Sequence, residues 1–277
     1  MPSLPYSRRA ILAGLGAALL ASPAAAQFVP QPDLHSEAWR KTGDGGDPDY
    51  GPWADFLARW LRPAPGAVTL VDYAGAVAAG ARAPLRAWLA ETQKVDPTTL
   101  SRDAAFCWWV NLYNAATVDL VLKEYPVRTI LQIEGGLFNT GPWDEEILSV
   151  NGQSLTLNNI EHGVLRPVWG DPRIHYAVNC ASIGCPDLKA TPWASATLEA
   201  DLETAARAYV NHPRGARFDS GQLITSKIYD WFEVDFGDSA SGVIAHLKRY
   251  AESDLAKQLA TATRIANTEY DWNLNAA

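Results

Sequence analysis

SRDAAFCWWVNLYNAATVDLVLKEYP, residues 101–126, is the stretch that decides the fold of this chain. Ser101 has the short hydroxyl that suits a helix N-cap, and Asp103 falls in the first turn, where the helix dipole favours an acid. From Ala104 to Tyr125 charges are sparse, so the predicted helix is buried nearly all round. Pro126 ends it. Asn111 and Asn114 lie three positions apart and share a face. A buried amide is costly unless it is hydrogen-bonded, so this pair is expected to hold a neighbouring loop or a substrate.

Shorter elements flank this helix. Upstream, Phe56, Leu57, Trp60 and Leu61 share a face of a predicted helix over Trp53–Leu61, which Pro63 and Pro65 stop. Val68–Tyr73 reads as extended, and Pro84–Thr92 as helix. Downstream, Asn151-Gly152 is a hairpin signal between Glu146–Val150 and Ser154–Leu157. A short helix capped by Asn158 or Asn159 carries Glu161, His162 and Arg166. Ile174–Val178 reads as a strand, and Asn179–Pro186 as a small-residue loop leaving it. A helix over 196–211, a strand at Leu223-Ile224, an aromatic segment over Lys227–Phe236 and a helix over Ser241–Tyr250 follow, then an extended tail. With no internal repeat and no break in composition, residues 51–277 read as a single α+β domain. Its buried central helix is expected to pack on a small, mostly antiparallel sheet.

The beginning of the chain has a different character. Arg8 and Arg9 precede an apolar run over Ala10–Ser22 and a small-residue stretch at Pro23–Ala26. This is the layout of a removable signal peptide over residues 1–26. The apolar run is too short to span roughly 30 Å of hydrocarbon. The paired arginines fit twin-arginine export, with a general secretory signal as the alternative. A periplasmic or secreted location is the expectation. Residues 27–50, with scattered Pro and Gly, read as a loose arm that includes His35.

The formal net charge is −8, and it becomes more negative once the two arginines are removed. An acidic surface repels phosphate backbones and anionic lipid, so nucleic acid is not an expected partner. No apolar stretch after residue 26 is long enough to span a membrane. Phosphate-loop, dinucleotide and haem motifs are absent from the sequence, so no cofactor is expected. The three cysteines, Cys107, Cys180 and Cys185, do not make a disulfide-rich scaffold.

Several stretches together resemble the domain of unknown function 547 family. They are Val71–Tyr73, Phe106–Asn114, Leu157–Arg166, Asp171–Pro186 and Ser226–Phe236. The matching motif positions are Asn111, Asn114, Glu161, His162, Arg166, His175, Cys180, Cys185, Pro186 and Lys227. The resemblance brings no settled activity with it. It implies an architecture similar to papain-like or transglutaminase-like hydrolases. Cys107 stands where members commonly carry an aromatic residue, so it is expected to be a small buried hydrophobe.

Glu161, His162, His175, Asn179, Cys180 and Cys185 fall within 25 residues. A cysteine reacts as its thiolate, and a nearby histidine both lowers its pKa and moves protons. Glu161 or Asn179 would orient the imidazole of His162 or His175. A small-residue loop can offer backbone N–H groups to an oxyanion. These parts suit a cysteine-dependent hydrolase or acyl transferase acting on amide, peptide or thioester bonds. Cys185, following Gly184, is favoured as the nucleophile over Cys180. Asn111, Asn114 and Asn179 would support the site, and Lys227 sits in an aromatic setting suited to stacking or a lowered pKa. The alternative is a non-catalytic envelope domain that binds a small molecule, peptide or envelope protein, stapled by a Cys180–Cys185 disulfide. Metal binding by His162, His175 and a cysteine is disfavoured, because the Cys-x4-Cys spacing is a poor zinc pattern.

Overall fold

A computed structural model describes residues 36–64, 66–133 and 141–277. The signal reading at 1–26, the start of the arm with His35, Pro65 and the glycine-bearing stretch 134–140 lie outside the described residues. Residues 36–50, expected to be loose, lie on the body instead. Trp39 anchors them at 4 % exposure, the Gly43 N–H donates to the Leu100 carbonyl at 2.7 Å, and Asp47 accepts the Ser195 N–H at 2.8 Å. One buried ring supplies enough apolar contact to hold a short polar segment down.

α1 (Gly51–Trp60) has proline in its first turn, where a missing N–H costs nothing, and buries Trp53, Phe56 and Leu57. β1 (Leu61–Arg62) pairs antiparallel with β2 (Leu70–Val71). The extended piece expected over Val68–Tyr73 is shorter than predicted. Asp72 accepts the Gly75 N–H at 2.8 Å and starts α2 (Tyr73–Ala78). α3 (Arg82–Thr92) packs on α4 (Arg102–Glu124), the helix predicted from the sequence. Ser101 Oγ caps α4 by accepting the Ala104 N–H at 3.3 Å. The residues of α4 from Ala104 to Val118 are all buried, and Trp108 and Trp109 are each 1 % exposed. Truncating either ring to alanine would cost about 3–5 kcal/mol.

The mixed helix-and-sheet class holds, but among the described residues the strands form three small sheets rather than one. With 23 residues, α4 is about 34 Å long, and the longest strand has five residues. Strands that short cannot cover it. Helices do most of the covering: α2, α3 and the π-helical turn Asn159–Leu165.

β3 (Leu148–Val150) and β4 (Gln153–Leu155) form the expected hairpin. Asn151 at φ +49° and Gly152 at φ +76° supply its left-handed turn. The following helix is capped by Thr156, not by Asn158 or Asn159. Thr156 Oγ1 accepts the Asn159 N–H at 3.0 Å, and Asn159 Oδ1 accepts the Thr156 N–H at 2.9 Å. The π-helical turn then runs into α5 (Arg166–Trp169).

Ile174–Val178, expected as a strand, is the short helix α6 (Ile174–Ala177) followed by one extended residue. Asp171 accepts the Arg173 N–H at 2.8 Å and turns the chain into helix. Every residue of the run is buried, so it carries no periodicity to separate strand from helix.

The remaining elements are α7 (Leu198–Val210), β5 (Ala216–Asp219), β6 (Gln222–Ser226), α8 (Ile228–Trp231), α9 (Ala240–Tyr250), α10 (Ser253–Thr261) and β7 (Asn267–Glu269). β5 is antiparallel and β7 parallel to β6. A second apolar cluster, including Tyr176, Tyr209, Tyr229, Phe236 and Leu247, forms beside the α4 core. The tail after β7 crosses the Asn179–Pro186 loop. Ile183 and Gly184 each donate an N–H to it at 2.8 Å, to Asn273 and Asp271. Among the described residues, no helix is long and apolar enough to cross a membrane.

Candidate functional site

The buried amides of α4 build the site from below. Asn111 exchanges two hydrogen bonds with the backbone of Trp193, donating at 2.8 Å and accepting at 3.0 Å. It holds a loop other than the one that carries Cys180 and Cys185. Asn114 does the same for the cysteine loop. Its Nδ2 donates to the Ala177 carbonyl at 2.9 Å, and its Oδ1 accepts the Asn179 N–H at 2.8 Å. Asn179 then closes the loop, donating to the Pro186 carbonyl at 2.7 Å and accepting the Ala181 N–H at 2.8 Å. It orients no imidazole. Ala181 is pinned at φ +61°, a left-handed conformation that costs about 1 kcal/mol without a glycine. Tyr209 and Arg214 hold the loop's far side through the carbonyls of Gly184 at 2.7 Å and Ile183 at 3.1 Å.

Cys180 and Cys185 face each other across this loop. Their Sγ atoms are 2.7 Å apart and both thiols are free. That is longer than a disulfide bond of about 2.05 Å. Tyr270 Oη lies 3.0 Å from Cys180 Sγ and 3.3 Å from Cys185 Sγ. Ser182 Oγ is 3.4 Å from Cys180 Sγ, and the Cys180 N–H donates to Cys185 Sγ at 3.0 Å. Burial alone would push the Cys180 thiol up, but hydrogen bonds from Cys185, Ser182 and Tyr270 outweigh it and bring its pKa below the ordinary cysteine value. Burial and the neighbouring Cys180 charge push Cys185 well up. Cys180 is half-buried, whereas Cys185 is 5 % exposed. Cys107 is fully buried within α4, as expected.

The histidines are arranged differently from a cysteine–histidine couple. Among the described residues, no histidine nitrogen bonds either sulfur. His175, at 3 % exposure, is clamped between carboxylates: Nε2 lies 2.7 Å from Asp235 Oδ2 and Nδ1 3.6 Å from Glu161 Oε1. Burial would lower its pKa, but the hydrogen bonds to Asp235 and Glu161 prevail and raise it. Glu161 also accepts the Tyr113 O–H at 3.0 Å. Burial opposes its charge, yet His162 and the bonds from His175 and Tyr113 hold its pKa down at about 2. Asp235 is held at about 2 against burial by His175 and by Arg166, which bonds it at 2.6 and 3.1 Å. His175 is therefore held between two carboxylates at the base of the site, which favour its charged form.

His162 is the opposite case. Burial lowers its pKa, opposed by the neighbouring Glu161 charge and assisted by the Arg166 charge. Arg166 has only protons to give, so its contact at 3.3 Å makes His162 Nδ1 the acceptor. The ring proton of His162 is then on Nε2. Phe232 lies between the two rings, stacked on His175 at 4.2 Å and tilted against His162 at 5.5 Å.

The two sulfurs and the two imidazoles open onto one cleft of about 470 Å³. Cys180, Cys185, Glu161, His162 and His175 line it, and Trp143, Trp231, Phe232, Tyr270 and Trp272 give it aromatic walls. Lys227 does not line the cleft: it precedes α8 and its backbone N–H donates to the Glu269 carbonyl at 2.9 Å. The N–H groups of Asn179, Cys180, Ala181, Ile183, Gly184 and Cys185 are all taken within the fold. These six offer nothing to an oxyanion, contrary to the expectation for a small-residue loop.

Sequence reasoning missed Asp235, Tyr113, Tyr270 and Trp272. Asp235 and the Phe232 ring fall in the aromatic segment the sequence singled out, and Tyr113 lies between the two flagged asparagines. Tyr270 and Trp272 sit in the tail, which alone carries no sign of proximity to the cysteines.

A family model described as "Protein of unknown function, DUF547" matches residues 97–210. It takes in Cys180, Cys185, Glu161, His162 and His175, and ends before Asp235 and the aromatic residues of the tail. No curated protein and no solved structure matches the chain. Among the described residues, no cluster of His, Cys, Asp and Glu is suited to hold a metal ion.

Proposed function

For a chain whose residues 97–210 belong to the family described as protein of unknown function DUF547, we propose a thiol-dependent acyl transferase or hydrolase with Cys180 as its nucleophile. The single observation that carries this is the Cys180 sulfur: three groups, Cys185, Ser182 and Tyr270, stabilise its anion at the edge of an aromatic cleft. Cys185, buried and held protonated, supports Cys180 rather than leading the attack. The N-terminal pattern supports a location outside the cytoplasm in this proposal.

A cysteine whose pKa is lowered needs less help from a general base. His162 is then better suited as a donor: its Nε2–H meets the negative charge that develops on the acyl oxygen. The His175–Glu161–Asp235 cluster fixes the wall that carries it. An amide's leaving amine must be protonated, and no histidine bonds the reacting sulfur. A thioester releases a thiolate, which leaves without a proton. Thioesters with an apolar or aromatic acyl group are therefore the favoured substrates.

The test is incubation of the full chain with the benzoyl thioester of N-acetylcysteamine. Thiol release and a benzoyl adduct mapped to Cys180 by mass spectrometry are expected. Cys180→Ala removes both, and Cys185→Ala retains the adduct. An adduct on Cys185 alone, or none while Cys180 is readily alkylated by iodoacetamide, overturns the reading.

The second reading is a non-catalytic binding domain stapled by a Cys180–Cys185 disulfide. The 2.7 Å sulfur separation favours it. A quantitative disulfide in the native chain that resists mild thiol reductants would support it over the first.

A further inference from the structure

We propose that the same cleft performs thiol–disulfide exchange on an external disulfide with aromatic or apolar substituents, Cys180 attacking and Cys185 resolving. This rests on Cys180 being the nucleophile, but it needs no acyl chemistry.

The geometry of the pair is the ground. The sulfurs sit 2.7 Å apart on one loop, so closing the bond to about 2.05 Å needs a shift of well under 1 Å. One sulfur is half-buried at the cleft and the other buried behind it, an order of access that separates attack from resolution. Each sulfur has its own donor for the moment it carries charge. Ser182 serves Cys180, and the Cys180 N–H is already aimed at Cys185 at 3.0 Å. Tyr270 Oη reaches both, at 3.0 and 3.3 Å, and so can follow the charge from one to the other. A single acyl-transfer nucleophile needs neither the second sulfur nor a donor aimed at it.

The steps balance as two displacements at sulfur. The Cys180 thiolate attacks one sulfur of R–S–S–R′. A new S–S bond forms, the old one breaks, and R′–S⁻ leaves with the electron pair. Cys185 then gives up its proton to solvent and attacks Cys180 Sγ, expelling R–S⁻. The external disulfide is reduced by two electrons, and the cysteine pair is oxidised to a disulfide. The aromatic walls, Trp143, Trp231, Phe232 and Trp272 among them, would hold R by stacking.

The experiment uses the full chain, reduced and freed of reductant, with 5,5′-dithiobis(2-nitrobenzoate), an aromatic disulfide. The wild-type chain is expected to release two equivalents of thionitrobenzoate and to end as an unadducted Cys180–Cys185 disulfide by mass. Cys185→Ser should release one equivalent and retain the other as a mixed disulfide on Cys180. Cys180→Ser should slow the first release by about 100-fold. A wild-type chain that stops at a stable mixed disulfide overturns the proposal without any variant. So does no release from a chain that iodoacetamide still alkylates at Cys180, and this leaves the acyl-transfer reading intact. A Cys180 that neither reagent modifies removes both.

Discussion

Asn114, buried in the middle of α4, accepts the N–H of Asn179 at 2.8 Å, one residue before Cys180. The central helix thereby sets the start of the loop that carries both sulfurs. Asn114→Leu keeps the volume but strands the Asn179 N–H and the Ala177 carbonyl without partners. The loss should be roughly 2–4 kcal/mol, seen as a lower midpoint in chemical unfolding. Iodoacetamide labelling of Cys180 at fixed pH should also change, since the loop loses its anchor. The corresponding Asn111→Leu change, at the Trp193 loop, should lower stability similarly and leave labelling unaltered.

Tyr270→Phe removes one hydroxyl and little volume. The Cys180 thiolate loses its 3.0 Å partner, and a bond to a charged group is worth about 1.5–3 kcal/mol. The pKa read from the pH dependence of alkylation should rise by about one to two units. An unchanged profile would show that Tyr270 does not stabilise the thiolate.

Gly184 lies under the tail. A Cβ there would come within 2.8 Å of the Asp271 nitrogen and 2.9 Å of the Tyr270 ring. Since the nearest atom is backbone, Gly184→Ala must displace the tail. The expected cost is about 1–3 kcal/mol, with a rise in the Cys180 pKa as Tyr270 moves off. Thermal unfolding and the alkylation profile check the two parts separately.

The His175 clamp makes stability depend on pH. Its pKa is raised in the fold above the ordinary 6.5. That stabilisation is fully present below about pH 6.5 and is lost as pH rises through the folded value. Glu161 and Asp235 act in the other direction. Both fall to about 2 from ordinary values of 4.5 and 3.8, so their contribution is present above those values and is lost as pH falls towards 2. Denaturation midpoints should therefore peak between about pH 4.5 and 6.5 for this cluster. In His175→Gln the decline on the alkaline side should flatten. A variant that keeps the wild-type slope above pH 6.5 would remove the clamp as its cause.

What the sequence disclosed and what it withheld divide along physical lines. α4 was legible because an apolar run bounded by Ser101 and Pro126 has few other outcomes. The Asn151-Gly152 hairpin was legible because its turn demands positive φ at both residues. The cysteines, Glu161 and both histidines do line one cleft, as their clustering suggested. The roles within that cluster were not legible. Whether a sulfur faces a histidine or a tyrosine depends on the tail, and Tyr270 lies 90 residues from Cys180. Likewise Asp235, 60 residues from His175, ties up the ring nitrogen of a prospective base. The strand expected at Ile174–Val178 failed for want of pattern: a run buried on every side looks the same in either conformation.

The loop between Asn179 and Pro186 is held by hydrogen bonds from α4, from α7, from Arg214 and from the tail. The difference in acidity between its two sulfurs therefore belongs to the whole tertiary assembly and not to the local run of residues. A synthetic peptide covering 174–190 would carry both thiols, and they should titrate alike. The ratio of their reactivities is thus a gauge of nativeness, one that reads loss of the fold through chemistry rather than through spectroscopy.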